Sequence, residues 1–398
     1  MSITGFAVVG WTNSTDYVSG QLRYRFWRDG DTEPTSWTEI NVGNYGSPTS
    51  GAADVVCTSG NDRVVGRDNL SVNLNPGVAG TYFLKIQAMG QMQYTGAGGG
   101  SFNVNNGSEQ TATITISSTA TDANDFFRSK VSGNWTSAAS WERSPQGTYW
   151  ADAAEAPGTS SGGRVSIQNG HNITLNTSVS ISSLTINSGA TFTGSDGSSR
   201  TLTLLNNATF TNNGTFTASG GKISFAGTGT VSGTCTFFDA DLAGGVNFGS
   251  SSTISGTLSI KSGGFVSTNA VTYSSGSTLK YDNGGAYGND QNSFEWRNAS
   301  GAGYPHHVQI SSNSTLNLNT TSTPATSRVC AGNLTVDVGS TVNRNNNGSL
   351  TVRGNCVVQG TLNLSTTVGG DLAIAGNADF NGTFNMNNRA VFFDGSGT

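Results

Sequence analysis

The sequence predicts an all-β chain: an N-terminal β-sandwich followed by a parallel β-helix with three strands per coil of about 22 residues and a tryptophan-rich cap. Two patterns carry this prediction. A glycine-led strand motif recurs at a constant interval near the C-terminus, whereas residues 1–120 carry longer runs of alternating apolar and polar residues. Composition agrees, because 55 of the 398 residues are glycine and only 11% are charged. Such a chain suits glycine-rich turns and uncharged strand surfaces.

Residues 1–120 lack the repeat, and we interpret them as an antiparallel β-sandwich to which the sequence assigns no function. The alternating runs cover 6–11, 21–28, 81–89 and 111–117, with Gly, Asn, Asp and Pro clusters between them. Four aromatic residues are interpreted as core, with a sugar-binding platform as the alternative: Tyr24, Phe26, Trp27 and Trp37.

Residues 121–163 are predicted to join the two parts and to cap the first coil. A short helix is expected over 123–130. The open end of a solenoid exposes apolar residues and unpaired strand edges, and Trp135, Trp141 and Trp150 are suited to cover them. Stacking of these tryptophans on a ligand is the alternative.

Residues 164–398 are predicted to form about ten coils of parallel β-helix. Three series of glycine-led motifs keep the same interval: Gly332, Gly354 and Gly376; Gly348 and Gly370; and Gly360 and Gly382. Each period therefore holds three strands, whose side chains alternate between two faces. Leu350 and Leu372 are expected to be vertical neighbours. The last residues lack a cap composition, so the β-helix is expected to be truncated at residue 398.

Charge and hydropathy argue against two kinds of partner, nucleic acid and the interior of a membrane. A net charge of -5 without a basic run argues against nucleic acid. No stretch reaches the ~18 apolar residues of a membrane span. Four cysteines are too few for a disulfide framework, and we interpret them as small buried residues, with a bridge between Cys330 and Cys356 left open.

The largest break in the coil rhythm is 282–307, and it is the predicted binding segment, because loops that leave a solenoid carry binding residues on a fixed base. Four of its aromatic residues are candidate ligand-binding residues, with carbohydrate bound through Trp296 and Tyr304: Tyr287, Phe294, Trp296 and Tyr304. The alternative is that they fold the loop onto the rod. Asp282 and Asp290 are calcium candidates, and no other cofactor is predicted. If a strand has begun, His306 and His307 point to opposite faces and share no metal.

The stretch 132–175, with its GNW and SW pairs followed by VSIQNGHNITL, resembles modules of large secreted repeat proteins of Bacteroidota. Later stretches resemble the same proteins, at 273–281, 294–296, 301–305, 308–310, 369–372 and 381–389. Such proteins are similar to cargo of the type IX secretion system, and their strand pairs resemble the eight-glycine domain of extracellular proteins. The resemblance implies contact with the secretion machinery, an extracellular or cell-surface location and an adhesive role. It brings no catalytic residue.

Three classes of function remain. The sequence favours a structural or adhesive, non-enzymatic segment of a larger exported protein. A carbohydrate-binding or polysaccharide-degrading β-helix is the alternative, although enzymes need several ionisable residues together and charges here are sparse. Ice binding is the third, from TxT motifs at Thr191, Thr209 and Thr215. Asn213 lies one repeat interval beyond Thr191, and Val231 lies one interval beyond Thr209. The threonines of successive coils are therefore predicted not to align in rows, which we call ranks.

Overall fold

The structure, a computed structural model, describes residues 2–3, 6–11, 17–45, 62–67, 70–71, 74, 80–94, 97–103, 109–116, 125–145, 147, 150–159, 162–288, 294–297, 300–318 and 327–395. Two compact units make up the chain, Met1–Thr119 and Ala120–Thr398. Both are built of β-strands over the described ranges, where the helical element is one 3-10 turn, Ala138–Ser140.

In the first unit, all strand pairs of the described residues are antiparallel. The strands are β1 (Ser2–Ile3), β2 (Phe6–Trp11), β3 (Tyr17–Arg28), β4 (Thr38–Tyr45), β5 (Asp62–Arg67), β6 (Leu70–Ser71), β7 (Gly80–Tyr94), β8 (Ala97–Asn103) and β9 (Gln110–Ile116). The main sheet has the order β4-β3-β7-β8, and β9 also pairs with β7. Two separate pairs are β2 with β5 and β1 with β6.

Aromatic residues in this main sheet contact one another, and Trp37, which precedes β4, contacts two arginines of β3. Phe26 stacks on Tyr82 with ring centroids 5.2 Å apart, and the guanidinium carbons of Arg23 and Arg25 lie 4.7 and 4.2 Å from the centroid of Trp37. Tyr82 is buried. The four aromatic residues interpreted as core, Tyr24, Phe26, Trp27 and Trp37, are half-buried, so they pack against neighbouring side chains without being enclosed.

The second unit begins with β10 (Phe126–Ser129), β11 (Gly133–Asn134), β12 (Trp141–Ser144) and β13 (Ala151–Asp152). The helix expected over 123–130 is wrong, because its described part contains β10. That strand pairs antiparallel with β12 and parallel with β14 (Arg164–Ile167). Phe127 and Ser129 are buried and alternate with half-buried neighbours, which is the two-residue period of a strand.

Short strands then follow one another along the chain. Those that precede the break are β15 (Asn172–Thr174), β16 (Val179–Ile181), β17 (Ser183–Ile186), β18 (Thr191–Thr193), β19 (Thr201–Leu204), β20 (Ala208–Asn212), β21 (Thr215–Thr217), β22 (Lys222–Phe225), β23 (Gly229–Gly233), β24 (Cys235–Phe237), β25 (Asp239–Leu242), β26 (Gly245–Asn247), β27 (Ser252–Ile254), β28 (Thr257–Ile260), β29 (Phe265–Val266), β30 (Thr272–Tyr273), β31 (Thr278–Tyr281) and β32 (Ala286–Tyr287). Those that follow it are β33 (His307–Ile310), β34 (Thr315–Leu318), β35 (Arg328–Cys330), β36 (Leu334–Val336), β37 (Thr341–Arg344), β38 (Leu350–Val352), β39 (Cys356–Val358), β40 (Thr361–Asn363), β41 (Leu372–Ile374), β42 (Ala378–Phe380), β43 (Thr383–Asn385) and β44 (Val391–Phe393).

These strands form the stacked parallel sheets of a β-solenoid with three faces. The first face is one continuous sheet of ten strands, β16-β19-β22-β25-β28-β31-β33-β36-β39-β42. The second face comprises the sheet that ends β14-β17-β20-β23-β26-β29 and then the sheet β32-β34-β37-β40-β43. The third comprises β11-β15-β18-β21, β24-β27-β30 and β35-β38-β41-β44. From β16 onward, a strand of the continuous sheet is followed by one of the second face and then one of the third, except that β32 of the second face is followed by β33 of the continuous sheet among the described strands.

The strand register confirms the repeat where the sequence shows it. Leu350 lies opposite Leu372, and Leu334, Cys356 and Ala378 follow one another at the same interval. Elsewhere the coil length differs in both directions, because the corners between strands hold fewer residues in some coils and more in others.

Coil length overturns one prediction about threonine ranks. Thr191 lies opposite Thr215 and Thr193 lies opposite Thr217, so these ranks do align. The prediction was wrong because the step from position 191 to position 215 is longer than the interval between Gly332 and Gly354. A constant step therefore reaches the wrong positions in this coil.

The core of the second unit is one apolar column along the solenoid. Trp135 and Trp141 belong to it and are fully buried, and Trp135 meets the ring of Phe192 edge-on with centroids 5.8 Å apart. Trp150 is half-buried beneath Arg128.

Three cysteines also lie in this core: Cys235, Cys330 and Cys356. Their thiols are free, so no bridge joins Cys330 to Cys356, and burial raises the pKa of each to about 12. Cys57 lies outside the described residues. The interpretation of these three as small buried residues is confirmed.

Candidate functional site

The break in the coil rhythm, residues 282–307, is called the excursion here, and it is described at 282–288, 294–297 and 300–307. It leaves the continuous sheet after β31 and returns at β33. Leu279 and Val308 lie opposite each other although the whole excursion separates them in the chain. The coil stacking is therefore preserved while the excursion extends from it.

Trp296 anchors the excursion in the core. Its side chain is 0% exposed, and the indole Nε1 donates a hydrogen bond of 2.9 Å to the carbonyl oxygen of Val329. The ring centroid lies 6.4 Å from that of Tyr281. An indole enclosed in this way serves as a structural anchor, and a ligand would reach its face only after the excursion opened.

Beside Trp296, the Glu295 carboxylate lies inside a group of tyrosines. Its Oε1 accepts hydrogen bonds from Tyr287 Oη at 2.7 Å and from Tyr281 Oη at 3.4 Å. Its backbone carbonyl accepts one from Tyr273 Oη at 3.0 Å. We call these four residues the Glu295 cluster. It ties the excursion, through Glu295 and through Tyr287 of β32, to β30 and β31.

Burial governs the electrostatics of this cluster. Glu295 is 1% exposed, and its Oε2 has no hydrogen-bond partner among the described residues. Desolvation raises the pKa of Glu295, although the tyrosine hydrogen bonds and the positive charge of Arg328 oppose that rise. Burial likewise lowers the pKa of Arg328.

The four candidate ligand-binding residues differ in exposure. Trp296 is buried, whereas Tyr287, Phe294 and Tyr304 are half-buried. Phe294 lies under the Arg297 guanidinium, with 4.8 Å from its carbon to the ring centroid. Tyr304 follows Gly303, at which an added Cβ would lie 2.1 Å from the Phe294 carbonyl oxygen. The prediction of ligand binding at these residues stays a prediction, and Tyr287 and Tyr304 retain the exposure that it requires.

Asp282 is held by neighbouring side chains at the start of the excursion. Its Oδ2 accepts a 2.5 Å hydrogen bond from Lys261 Nζ, and its Oδ1 accepts one from the Ser312 hydroxyl. Burial favours a raised pKa, but these hydrogen bonds outweigh it and lower the pKa of Asp282. Asp290 lies outside the described residues, so calcium binding by the pair stays a prediction. Within the described ranges, no three His, Cys, Asp or Glu residues group as metal ligands.

The two histidines at the end of the excursion do not point to opposite faces. Their rings lie 4.3 Å apart at 82°, because β33 begins at His307 and the strand alternation does not extend back to His306. The His307 Nδ1 accepts a hydrogen bond from the backbone N–H of Asn333. His307 therefore fixes the turn that contains Asn333 and precedes β36.

A surface groove lies on the second face where the excursion begins. Its volume is about 270 Å³, and it lies between β29 and β32, which end and begin the two sheets of that face. It is lined by Ser262, Gly263, Gly264, Phe265, Asn283, Gly285, Ala286, Tyr287 and Gly288. The Asn283 Oδ1 is buried there without a partner in the described part of the chain. Two half-buried rings and a free amide acceptor are groups that bind a small polar ring.

Sequence reasoning singled out Tyr287 but missed Phe265, its neighbour in the groove, and Glu295, its neighbour in the Glu295 cluster. Phe265 precedes Tyr287 by one repeat interval, and that spacing gave a usable signal that they are on one face. Glu295 and Arg328 gave none, because a hydropathy pattern places isolated charged residues at the surface.

No protein-family model, curated protein or solved structure matches this chain. Over the described residues, no helix has the length and apolar character needed to cross a membrane.

Proposed function

We propose that this chain is a structural and adhesive segment of a larger exported protein, located at the cell surface or outside the cell. The observation that carries the proposal is the continuous sheet of ten parallel strands. At ~4.8 Å for each of its intervals, such a sheet spans roughly 43 Å. A rod of that length separates what is attached at its two ends, as a spacer does.

Hydrogen bonds between turns support a stiff rod. The backbone N–H of Asn355 donates to Asn333 Oδ1, and the N–H of Asn377 donates to Asn355 Oδ1, both at 2.9 Å. These bonds satisfy turn backbone groups that the strands leave free. Each coil is thereby fixed to its neighbour at the corners as well as along the strands.

Composition and the resemblance to type IX cargo support export. A coat of Ser, Thr and Asn with 11% charged residues is typical of extracellular repetitive β proteins. In this proposal residues 1–120 are a β-sandwich module, and the buried Trp135 and Trp141 cap the first coil. The partners are then the secretion machinery during export and surface glycans afterwards.

Export is tested in cells that produce the natural protein. Antibody labelling and protease treatment of intact cells should detect the solenoid outside, and deletion of the type IX translocon should retain it inside. Unchanged surface exposure in the deletion strain would refute the route. Absence from the surface of both strains would refute the location.

Carbohydrate binding is the second candidate, favoured by the groove between Phe265 and Tyr287. Aromatic faces contribute about 0.5–1.5 kcal/mol each beyond area burial. A glycan array with the whole chain should therefore show ligands whose binding falls about tenfold in Phe265→Ala, which corresponds to ~1.4 kcal/mol. Phe392→Ala is the matched control, since Phe392 is an exposed ring on β44. Equal binding by both variants would exclude the groove, and Tyr304→Ala tests the half-buried ring of Tyr304 in the excursion in the same way.

A further inference from the structure

Four consecutive strands of the second face present the same pair of outward residues. β34, β37, β40 and β43 each carry a threonine followed two positions later by an asparagine. The threonines are Thr315, Thr341, Thr361 and Thr383, and the asparagines are Asn317, Asn343, Asn363 and Asn385. Register aligns each rank residue by residue, and all eight side chains are half-buried or exposed. We call this array the Thr/Asn face.

The asparagines of this face form a continuous hydrogen-bonded ladder. Asn343 Nδ2 donates to Asn317 Oδ1 at 2.8 Å, and Asn363 Nδ2 donates to Asn343 Oδ1 at 2.7 Å. Asn385 Nδ2 donates to Asn363 Oδ1 at 2.6 Å. Each amide is thereby fixed in orientation, and the ladder uses one N–H and one carbonyl lone pair of the two inner amides, Asn343 and Asn363. The array is ordered before any partner arrives, so binding costs little side-chain entropy.

The geometry of the face is that of a two-dimensional lattice. Neighbouring strands are ~4.8 Å apart along the rod, and the two ranks are separated by ~6.6 Å across it. Threonine methyls and hydroxyls alternate with amides, and none of the eight side chains carries a charge. A second, shorter lattice lies on the third face, where Asn172, Thr191 and Thr215 form one rank and Thr174, Thr193 and Thr217 form the other.

A rigid neutral lattice fits a partner that itself repeats at fixed intervals. Nucleic acid and anionic lipid would require basic residues, which this face lacks at all eight positions. A globular protein partner presents no such repeat. Ice does, because its oxygen atoms form a fixed lattice of hydrogen-bond donors and acceptors, and hydroxyl and amide groups bind ordered water.

We propose that the Thr/Asn face binds ice, with aligned hydroxyls and amides ordering a water layer that joins the lattice. This inference goes beyond the spacer and adhesive role. It is independent of export, because it concerns the purified chain alone.

The test measures retention of fluorescently labelled full-length chain in slowly growing polycrystalline ice, together with inhibition of ice recrystallisation. Thr341→Tyr disrupts the face. Thr335→Tyr is the matched control, because Thr335 is another half-buried outward threonine, on the preceding strand of the continuous sheet. We expect the native chain to be retained and Thr341→Tyr to bind about tenfold more weakly, a loss of ~1.4 kcal/mol. Thr335→Tyr should match the native chain.

Far-UV circular dichroism checks that each variant folds. If Thr341→Tyr does not, Asn385→Lys replaces it, since Asn385 is exposed at the end of the ladder and tolerates a longer side chain. Absence of retention by the native chain overturns the proposal, as do equal losses in the face variant and its control. Binding to cellulose or chitin without any effect on ice also overturns it.

Discussion

Replacement of Trp296 by alanine should strongly destabilise the solenoid, although sequence reasoning placed this residue in a binding loop. The indole is fully buried and donates a hydrogen bond to the Val329 carbonyl. Truncation of a buried tryptophan costs about 3–5 kcal/mol through lost burial and a residual cavity. Loss of the hydrogen bond adds ~1 kcal/mol. Trp296→Phe keeps most of the ring and should cost less, between about 1 and 3 kcal/mol.

The differences in free energy of unfolding are measured by urea unfolding, with hydrogen–deuterium exchange of peptides from residues 120–398 as the readout at each urea concentration. Peptides from this range report on the second unit alone. Phe392→Ala is the control, because a ring that is 54% exposed should change the free energy of unfolding by less than ~0.5 kcal/mol. A Trp296→Ala variant as stable as that control would refute the anchor.

Three further predictions follow from single sites. Gly382→Ala should destabilise the chain by more than ~2 kcal/mol in thermal unfolding, because the added Cβ would lie 2.1 Å from the Gly360 carbonyl oxygen, whereas Gly285→Ala meets nothing within 4 Å and should be neutral. The pKa of Glu295 is raised in the folded state, so this residue contributes to the free energy of unfolding in full below its unfolded pKa, and the contribution is lost as pH rises through its folded pKa. Unfolding measured at a series of pH values should show this loss in the native chain and a flatter profile in Glu295→Gln. Native thiol labelling should leave the three described cysteines unmodified, since burial raises their pKa to about 12, and fast modification of any of them would contradict this core.

The repeat was predictable wherever its interval is constant. Leu350 and Leu372 show why, since glycine-led turns of equal length keep corresponding residues in step along the chain. The interval fails upstream because each corner takes a different number of residues, as between Thr191 and Thr215. Which residues pair between successive coils depends on how many residues each corner holds. The sequence indicates those corner lengths only weakly.

The candidate site was less predictable than the fold. A loop rich in aromatic residues was correctly located, but Trp296 is buried and Glu295 lies beside it, which only tertiary packing determines. The strand at 126–129 was missed because so short a segment with two adjacent phenylalanines shows neither the two-residue period of a strand nor the 3.6-residue period of a helix.

The distance between spin labels along the continuous sheet tests the stacked coils most directly. Thr203 and Thr335 are outward residues at the same register position of the continuous sheet, six strand intervals apart. Asp379 occupies the same position two strands further on. With Cys57 replaced by serine, pulsed electron paramagnetic resonance on labelled cysteines should give about 29 Å for positions 203 and 335 and about 38 Å for 203 and 379, at ~4.8 Å per strand. Equal distances for the two pairs, or broad distributions without these maxima, would contradict a solenoid.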